Sequence, residues 1–234
     1  MKNWGEKGII KEIMEEFTER RNKVSLERGW HNRQAYWEAR AEEDARRVEA
    51  GKVDLREVLL GYAKTLAEKE AREGVDFLTG LFTKRVFEED VSYWVPLCNH
   101  LKIPLGVLYI DIDKFKEEIN DKHGHLAGDK ALKAFAKTLL NNIGHFDLPA
   151  RVGGEEFAVL LFRGRRETLN ETGEKIRKET ESLIIEDIPN LKMTISIGGA
   201  MLREEDTPET LIKRVDTALY QAKSEGRNKV VVVE

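Results

Sequence analysis

Two regions of the chain differ in how apolar and polar positions alternate. Through residues 1–74 apolar side chains recur at helical intervals, and no alternating run of strand type appears. From residue 75 onward, short apolar runs predict strands at 105–110, 157–162, 193–197 and 230–233, and a two-glycine turn joins 150–152 to 157–162 as a hairpin. Helical periodicity predicts helices near 84–101, 126–143, 167–186 and 208–225. The pattern indicates an α/β domain of the α+β type, with a mixed sheet flanked by helices and a helical extension before it.

The helical extension divides into a segment of unknown role at 1–53 and a linker helix at 54–74. Leu55, Leu59, Tyr62 and Leu66 follow at heptad spacing, over fewer than the roughly 3 to 4 heptads that indicate a coiled coil. Two interpretations stay open: a helix packed on its own domain, or a parallel helix pair that joins two subunits. The remaining unit, 75–234, carries the residues that could perform chemistry.

Composition and charge exclude several classes of protein. The 234 residues are 41% hydrophobic and 35% charged, and no run approaches the roughly 20 apolar residues of a membrane helix, so we expect neither a membrane span nor a disordered chain. Lysine and arginine number 39 against 43 aspartate and glutamate, a net charge of −4, so no positive field indicates nucleic acid as a partner. The single cysteine and the absence of a secretion signal favour a cytoplasmic location.

Two acidic motifs could hold a metal ion. Asp111 and Asp113 follow the first predicted strand, and alternation along a strand places both side chains on one face. Glu155 and Glu156 follow two glycines in a tight turn, where neighbouring carboxylates repel each other unless a cation compensates them. Each motif alone also suits a solvated loop. Together they predict a carboxylate-lined Mg²⁺ site of the kind that serves phosphoryl or nucleotidyl transfer.

Six ordered motifs give residues 75–234 a resemblance to a known family. They are Asp76-Phe-Leu-Thr-Gly-Leu81, Asp111-Ile-Asp-Lys-Phe-Lys116, Ile119-Asn-Asp-Lys-His-Gly-His125 with Gly128-Asp129, Arg151-Val-Gly-Gly-Glu-Glu-Phe157, Ser196-Ile-Gly198 and Ala218-Leu-Tyr-Gln-Ala-Lys-Ser-Glu-Gly-Arg-Asn228. This part of the chain resembles the GGDEF family of diguanylate cyclases, with a Gly-Gly-Glu-Glu-Phe form of the name motif. The resemblance implies a fold like that of nucleotidyl cyclases and polymerase palms. It also implies that a homodimer condenses two GTP molecules into cyclic di-GMP and releases two pyrophosphates.

The resemblance implies a catalytic and metal-binding end of the site. Asp111, the carbonyl of Ile112 and Glu155 would hold Mg²⁺, two ions per half-site with Mn²⁺ as an alternative, and Glu156 would assist in catalysis and metal binding. Glu155 would also be the base for the attacking 3′-hydroxyl.

The resemblance also implies a nucleotide-binding end. Asn120 and Asp129 would accept hydrogen bonds from the guanine edge. Lys223 and Arg227 would face the terminal phosphates, and the amides of Lys114, Phe115 and Lys116 would cradle them.

Two departures from the family pattern carry expectations of their own. Asn120 is the ninth residue after Asp111, one later than in the family. An added residue rotates the rest of a helix by about 100° unless a π-bulge absorbs it, so we predict a bulge near Glu117 and Glu118 with Asn120 still directed at guanine. The family's product-inhibition arginine is replaced by Gly144, which predicts weak product inhibition at that site.

Three functions are compatible with the sequence. The leading hypothesis is a competent diguanylate cyclase whose N-terminal helices control dimer formation. The second is a non-catalytic module that binds GTP or cyclic di-GMP, which the extra residue before Asn120 favours. The third is another metal-dependent nucleotidyl transferase with the same sheet architecture.

Overall fold

The computed structural model describes the second region of the chain almost completely and the first region in part. The described residues are 42, 44–55, 57, 58, 61, 74–144, 147–162, 166–185, 188 and 191–233. Residues 44–49 and 55, 57, 58 and 61 are helical, as predicted for this part of the extension. The predictions for 1–41, for most of the linker helix and for three of the four heptad positions lie outside the described residues.

The described part of the second region alternates helices with short strands. In chain order the elements are β1 (Phe82–Thr83), α1 (Lys84–Leu101), β2 (Gly106–Ile112), a π-helix (Phe115–Asn120) that continues into one helical turn (Asp121–His123), α2 (His125–Asn142), β3 (Leu148–Arg151), β4 (Glu156–Leu161), α3 (Arg166–Glu181), β5 (Ile195–Met201), α4 (Pro208–Ser224) and β6 (Val230–Val233). Among the described residues, no helix combines the length and the apolar character needed to cross a bilayer.

The strands form one mixed sheet of six strands in the order β1-β3-β4-β2-β5-β6. The β3–β4 hairpin is antiparallel, β2 pairs antiparallel with both β4 and β5, and the outer pairs β1–β3 and β5–β6 are parallel. The predicted α+β class, the mixed sheet and the hairpin are confirmed. Strand β1 was not predicted, because two residues are too few to show a period of two.

Strand β5 begins two residues later than predicted and continues to Met201 through two glycines. The sequence pattern did not predict the continuation beyond residue 197, because glycines are depleted in strands. Their presence has a packing reason: a Cβ atom on Gly198 would lie 2.1 Å from the backbone nitrogen of Leu219 in α4. The helix can approach β5 this closely only where the strand has no side chain.

Side-chain alternation along β2 separates two hydrophobic cores. Val107 packs in the cluster formed with α1 and α4, whereas Leu108 and Ile110 pack with α2 and α3 on the other face. Pairs such as Phe135 and Phe157, whose ring centroids lie 4.7 Å apart, fill the second core. Helices thus cover both faces of the sheet. The candidate site lies where β2 ends and β4 begins.

Ala45, Leu55 and Val58 share the core on the α1 side. Leu55 is only 4% exposed and packs in the same cluster as α1, so this heptad position is covered by its own chain. The Tyr93 hydroxyl of α1 donates to Asp44 Oδ2 at 3.1 Å, and His100 Nε2 lies 2.7 Å from Glu49 Oε2. This part of the helical extension therefore contacts α1 through apolar packing and through two polar contacts.

Local signals predicted helix α4 well. Thr207 Oγ1 accepts a hydrogen bond from the Thr210 amide at 3.3 Å, and Pro208 occupies the first turn. Gly226, just beyond the helix, has a φ of 109° that favours glycine. The predicted start and stop signals are confirmed.

Candidate active site

The end of β2 and the two-glycine turn lie side by side. Asp111 is directly opposite Glu156 in the β2–β4 register, and the Ile112 amide donates to the Glu155 carbonyl at 3.2 Å. The two motifs are 44 positions apart in the sequence (155 − 111), and antiparallel pairing brings them together. The four residues predicted for the metal end therefore occupy one corner of the sheet.

Negative charge accumulates at this corner. Asp111 is buried, and burial raises its pKa above the usual value; repulsion from Glu156 and Asp113 adds to the rise, while the Lys223 ammonium opposes it. Burial also raises the pKa of Glu155, and repulsion from Asp111 and Glu156 adds to it. Lys223 Nζ lies 2.8 Å from Asp111 Oδ2. One ammonium among several carboxylates leaves the corner suited to a further cation.

The Glu156 carboxylate lies against the two-glycine turn itself. Its Oε2 atom lies over Gly153, so close that a Cβ atom there would be 2.1 Å from it. Across the residues that the structure describes, no three carboxylate, histidine or cysteine side chains gather in a group able to hold one metal ion. Asp111, the Ile112 carbonyl and Glu155 remain as hard oxygen donors. This set fits Mg²⁺, which proteins usually bind through one or two carboxylates, with waters and substrate phosphates completing the shell.

Arg151 links the two-glycine turn to the segment before β1. Its guanidinium donates to the Gly154 carbonyl, from Nη2 at 2.6 Å, and to both carboxylate oxygens of Asp76, from Nη1 at 3.2 and 3.3 Å. Asp76 also accepts from the Thr79 amide at 2.9 Å and hydroxyl at 2.6 Å. Burial opposes ionisation of Asp76, but these donors outweigh it and hold its pKa below the usual value. The sequence motifs contain Asp76 and Arg151 but assign neither a role, and the structure supplies the contact.

The π-helix absorbs the extra residue before Asn120. It spans Phe115–Asn120 and so includes Glu117 and Glu118, which confirms the predicted bulge. The Asn120 amide oxygen lies against Gly128, where a Cβ atom would be 2.1 Å from Oδ1 and 3.2 Å from Phe115 Cζ. Asn120 is therefore directed at the first turn of α2.

The predicted guanine-binding residues are neighbours in this arrangement. Asp129 follows Gly128 directly and is exposed, while Asn120 is half-buried beside it. The buried Phe115 ring packs in the core beneath them. An amide oxygen and a carboxylate side by side form a pair of acceptors of the kind that binds the donor edge of a base.

The residues predicted to bind phosphates lie on two loops and one helix end. Lys114 begins the π-helix with a φ of 51°, and Lys116 is exposed one residue after Phe115. Lys223 lies in the last turn of α4 and reaches the Asp111 carboxylate. Arg227 follows α4 with a φ of 64° and donates its amide to the Ala222 carbonyl at 3.1 Å. The structure thus brings Lys223 to the metal end and carries Arg227 on a turn beyond it.

Asp113, the second acid of the motif expected to grip a cation, is hydrogen-bonded to this chain through both carboxylate oxygens. Its Oδ1 accepts from the Ser196 hydroxyl at 2.6 Å, and its Oδ2 accepts from the Thr194 hydroxyl at 2.8 Å and from the Asn228 amide at 3.0 Å. Both oxygens are occupied by donors from this chain. Ser196 and Asn228 belong to two of the sequence motifs, but the sequence alone assigned them no role. Their contacts with Asp113 became evident only from the order of the strands in the sheet.

The sheet order, the hairpin turn and the acidic corner define a palm-like fold of the nucleotidyl-cyclase kind. Residues 73–229 match the family model described as "Diguanylate cyclase, GGDEF domain". The chain belongs to the GGDEF family of diguanylate cyclases.

Named relatives agree with this assignment. The chain is 41% identical over 160 residues to the response regulator PleD of Caulobacter vibrioides, which covers 67% of this chain and 35% of PleD. It is 36% identical over 163 residues to the diguanylate cyclase DosC of Escherichia coli, covering 67% and 34%. The active GGEEF domain of a diguanylate cyclase from Vibrio cholerae superposes with a TM-score of 0.60 at 31% identity, covering 64% of this chain and 96% of that one. The chain thus matches about a third of the length of the curated relatives.

Proposed function

We propose that this chain is a catalytically competent diguanylate cyclase, which condenses two GTP molecules into cyclic di-GMP as a homodimer. The observation that carries the proposal is the corner formed by Asp111, Glu155 and Lys223, where the end of β2 meets the two-glycine turn. Carboxylates that repel one another beside a single ammonium are suited to a metal-bound triphosphate rather than to an uncharged ligand.

Guanine recognition is assigned to Asn120 and Asp129. An amide oxygen and a carboxylate both accept hydrogen bonds, and guanine offers a ring N–H and an exocyclic amine on one edge. Adenine does not offer donors in that pattern, so GTP is selected over ATP. The close contact between Asn120 and Gly128 supports this assignment, because it holds the amide next to Asp129.

Phosphate binding is assigned to the basic residues at the end of α4 and in the π-helix. Lys223, now paired with Asp111, lies where it can pair with phosphate oxygens when a triphosphate arrives. Arg227 supplies a second cation on the following turn, and the amides near Lys114 and Lys116 add neutral donors. Mg²⁺ held by Asp111, the Ile112 carbonyl and Glu155 would offset the phosphate charge and favour ionisation of the attacking hydroxyl.

The bond-forming step needs two copies of the chain. Each subunit binds one GTP, and the 3′-hydroxyl of one nucleotide attacks the α-phosphorus of the other, with pyrophosphate as the leaving group. Glu155 accepts the hydroxyl proton, and its position beside Asp111 in a partly buried turn favours that role. Two such attacks close the ring and release two pyrophosphates.

The non-catalytic sensor hypothesis loses its main support. That support was the extra residue between the metal and guanine ends, and the π-helix absorbs it without turning Asn120 away from α2.

Incubation with GTP and Mg²⁺, followed by chromatography of the nucleotides, tests the proposed function. Cyclic di-GMP supports it; unchanged GTP with measurable binding favours the sensor hypothesis, and a different product favours another nucleotidyl transferase. Activity per subunit is expected to rise with protein concentration, because each half-site is incomplete alone. Specific activity that is independent of concentration, in a protein that sediments as a monomer, would contradict the dimeric mechanism.

A further inference from the structure

Asp113 is a buried carboxylate at the edge of the site that the assigned chemistry does not use. Only 8% of the residue is exposed. It accepts three hydrogen bonds, from the Ser196 hydroxyl, the Thr194 hydroxyl and the Asn228 amide, at 2.6, 2.8 and 3.0 Å. Ser196 lies at the start of β5, Thr194 directly precedes that strand, and Asn228 lies in the turn between α4 and β6. Asp113 therefore ties three parts of the chain together where β2 ends.

The turn that Asp113 holds has an unfavourable backbone conformation. Arg227 and Asn228 have φ values of 64° and 45°, consecutive left-handed positions that side chains other than glycine rarely adopt. Such a conformation persists where surrounding contacts determine it, and it occurs most often at functional sites. The Asn228 amide bond to Asp113 is one of these contacts.

The side chain of Asn228 holds the same turn from its other side. Its Oδ1 accepts from Arg177 Nη1 at 2.9 Å, and its Nδ2 donates to Glu181 Oε1 at 2.9 Å, both in α3. Arg227 thus precedes a residue that is anchored through its backbone to β2 and through its side chain to α3. The backbone position from which the Arg227 side chain extends is therefore set by this turn.

We infer that Asp113 is a positioning residue that holds Arg227 toward the terminal phosphates of GTP, and that it is not a metal ligand. The inference rests on the proposed function and assigns Asp113 a role within that site. Asp113 acts through the Asn228 amide, because a backbone N–H can only donate and needs a fixed acceptor. Three of the roughly four lone-pair sites of the carboxylate already accept these hydrogen bonds, so a metal ion would have to compete with them.

Two substitutions separate these roles. Asp113→Ala removes every acceptor and releases the turn. Asp113→Asn keeps an oxygen for the Thr194 hydroxyl and the Asn228 amide, and its NH₂ group can donate to the Ser196 hydroxyl oxygen. The positioning role is therefore rescued by asparagine, whereas a metal-binding role is not, because a neutral amide is a poor Mg²⁺ ligand. Ser196→Ala, which removes one donor and leaves the Asn228 bond, serves as a milder variant if the alanine variant does not fold.

Asp206→Ala provides a matched control. Asp206 is also 8% exposed, and it accepts from the Arg203 amide at 2.9 Å, the Thr210 hydroxyl at 3.0 Å and Arg214. It lies before α4, at the opposite end of that helix from Arg227. Loss of the Asp206 carboxylate removes a similar set of buried hydrogen bonds and lowers the stability of the fold, but it leaves the turn at Arg227 intact.

The experiment compares the affinities of 3′-deoxy-GTP and 3′-deoxy-GMP by titration calorimetry with Mg²⁺, since neither ligand has the attacking hydroxyl. We expect Asp113→Ala to lower the affinity for the triphosphate about tenfold or more, because the triphosphate reaches Arg227. The affinity for the monophosphate, which does not reach Arg227, should fall less than about twofold. Asp113→Asn and Asp206→Ala are expected to stay within about threefold of wild type for both ligands. Ser196→Ala is expected to lower the affinity for the triphosphate alone, and by less than Asp113→Ala does.

Several results would overturn the inference. An Asp113→Ala chain with wild-type affinity for the triphosphate, or with equal losses for both ligands, removes the positioning role. An Asp113→Asn chain as weak as the alanine variant assigns Asp113 to the metal instead. If the wild-type chain binds neither ligand, the proposed function fails and this inference with it. Wild-type binding combined with an unchanged Asp113→Ala variant refutes this inference alone.

Discussion

Arg151 offers a direct test of how the two-glycine turn is held. Its guanidinium joins the Gly154 carbonyl in the turn to Asp76 before β1, and the two side chains of this ion pair are only 16% and 18% exposed. Arg151→Ala leaves the turn without its brace and Asp76 without its cation. We expect a loss of both stability and turnover, of different sizes and for separate reasons.

The stability loss can be bounded from the contacts. Removing one partner of a fully buried ion pair costs about 3–5 kcal/mol. Here the pair is partly solvated, and Asp76 keeps two hydrogen bonds from Thr79, so we expect about 2 kcal/mol after allowing for solvent screening. For a domain of this size that corresponds to a fall in Tm of roughly 4–8 °C. The turnover loss is larger, since a shift of about 1 Å in a catalytic group can cost on the order of 100-fold in kcat.

Arg214→Ala is the matched control for Arg151→Ala. Arg214 is 17% exposed and bridges the Asp206 carboxylate and the Met201 carbonyl, the latter at 2.7 Å, so it makes the same types of contact at the end of β5 remote from the site. Thermal melting and cyclic di-GMP production at a temperature where both variants are folded should give similar losses in Tm but a loss of kcat only in Arg151→Ala. The reasoning is refuted if Arg151→Ala retains kcat within about threefold of wild type, or if Arg214→Ala loses as much.

The same geometry makes three further predictions. Glu155→Gln should abolish turnover without lowering Tm, because an amide cannot accept the hydroxyl proton; a tenth of wild-type kcat remaining, measured by product chromatography, would contradict this. Gly198→Ala should cost about 2–3 kcal/mol in urea unfolding, since its Cβ would meet the backbone of α4, whereas Gly154→Ala, with nothing within 4 Å, should cost under about 1 kcal/mol; equal costs would refute the packing argument. Progress curves with added cyclic di-GMP should show only competitive inhibition, since Gly144 lacks a guanidinium and Asp147 already accepts from the Gly144 and Phe162 amides; non-competitive inhibition that Asp147→Asn abolishes would show that this site works without its arginine.

Local chemistry was enough to predict most elements and part of the site. Apolar spacing located α1, and caps together with apolar spacing located α4. Counting from Asp111 to Asn120 and comparing the interval with that of the family predicted the π-helix. Each of these features depends on contacts within a few residues of chain, and the sequence displays such contacts directly. The ordered motifs also identified the family, because their spacing is a property of the chain itself.

Long-range pairing decided what the local pattern left open. Asp111 and Asp113 look equivalent in the sequence, yet one lies beside Lys223 and the other is enclosed by donors from β5 and the turn before β6. Strand β1 is defined by its pairing with β3, and the glycine at 198 is explained by the approach of α4. The physical reason is common to these cases: hydrogen-bond partners and close contacts between distant segments depend on the order of strands in the sheet, and no local period records that order.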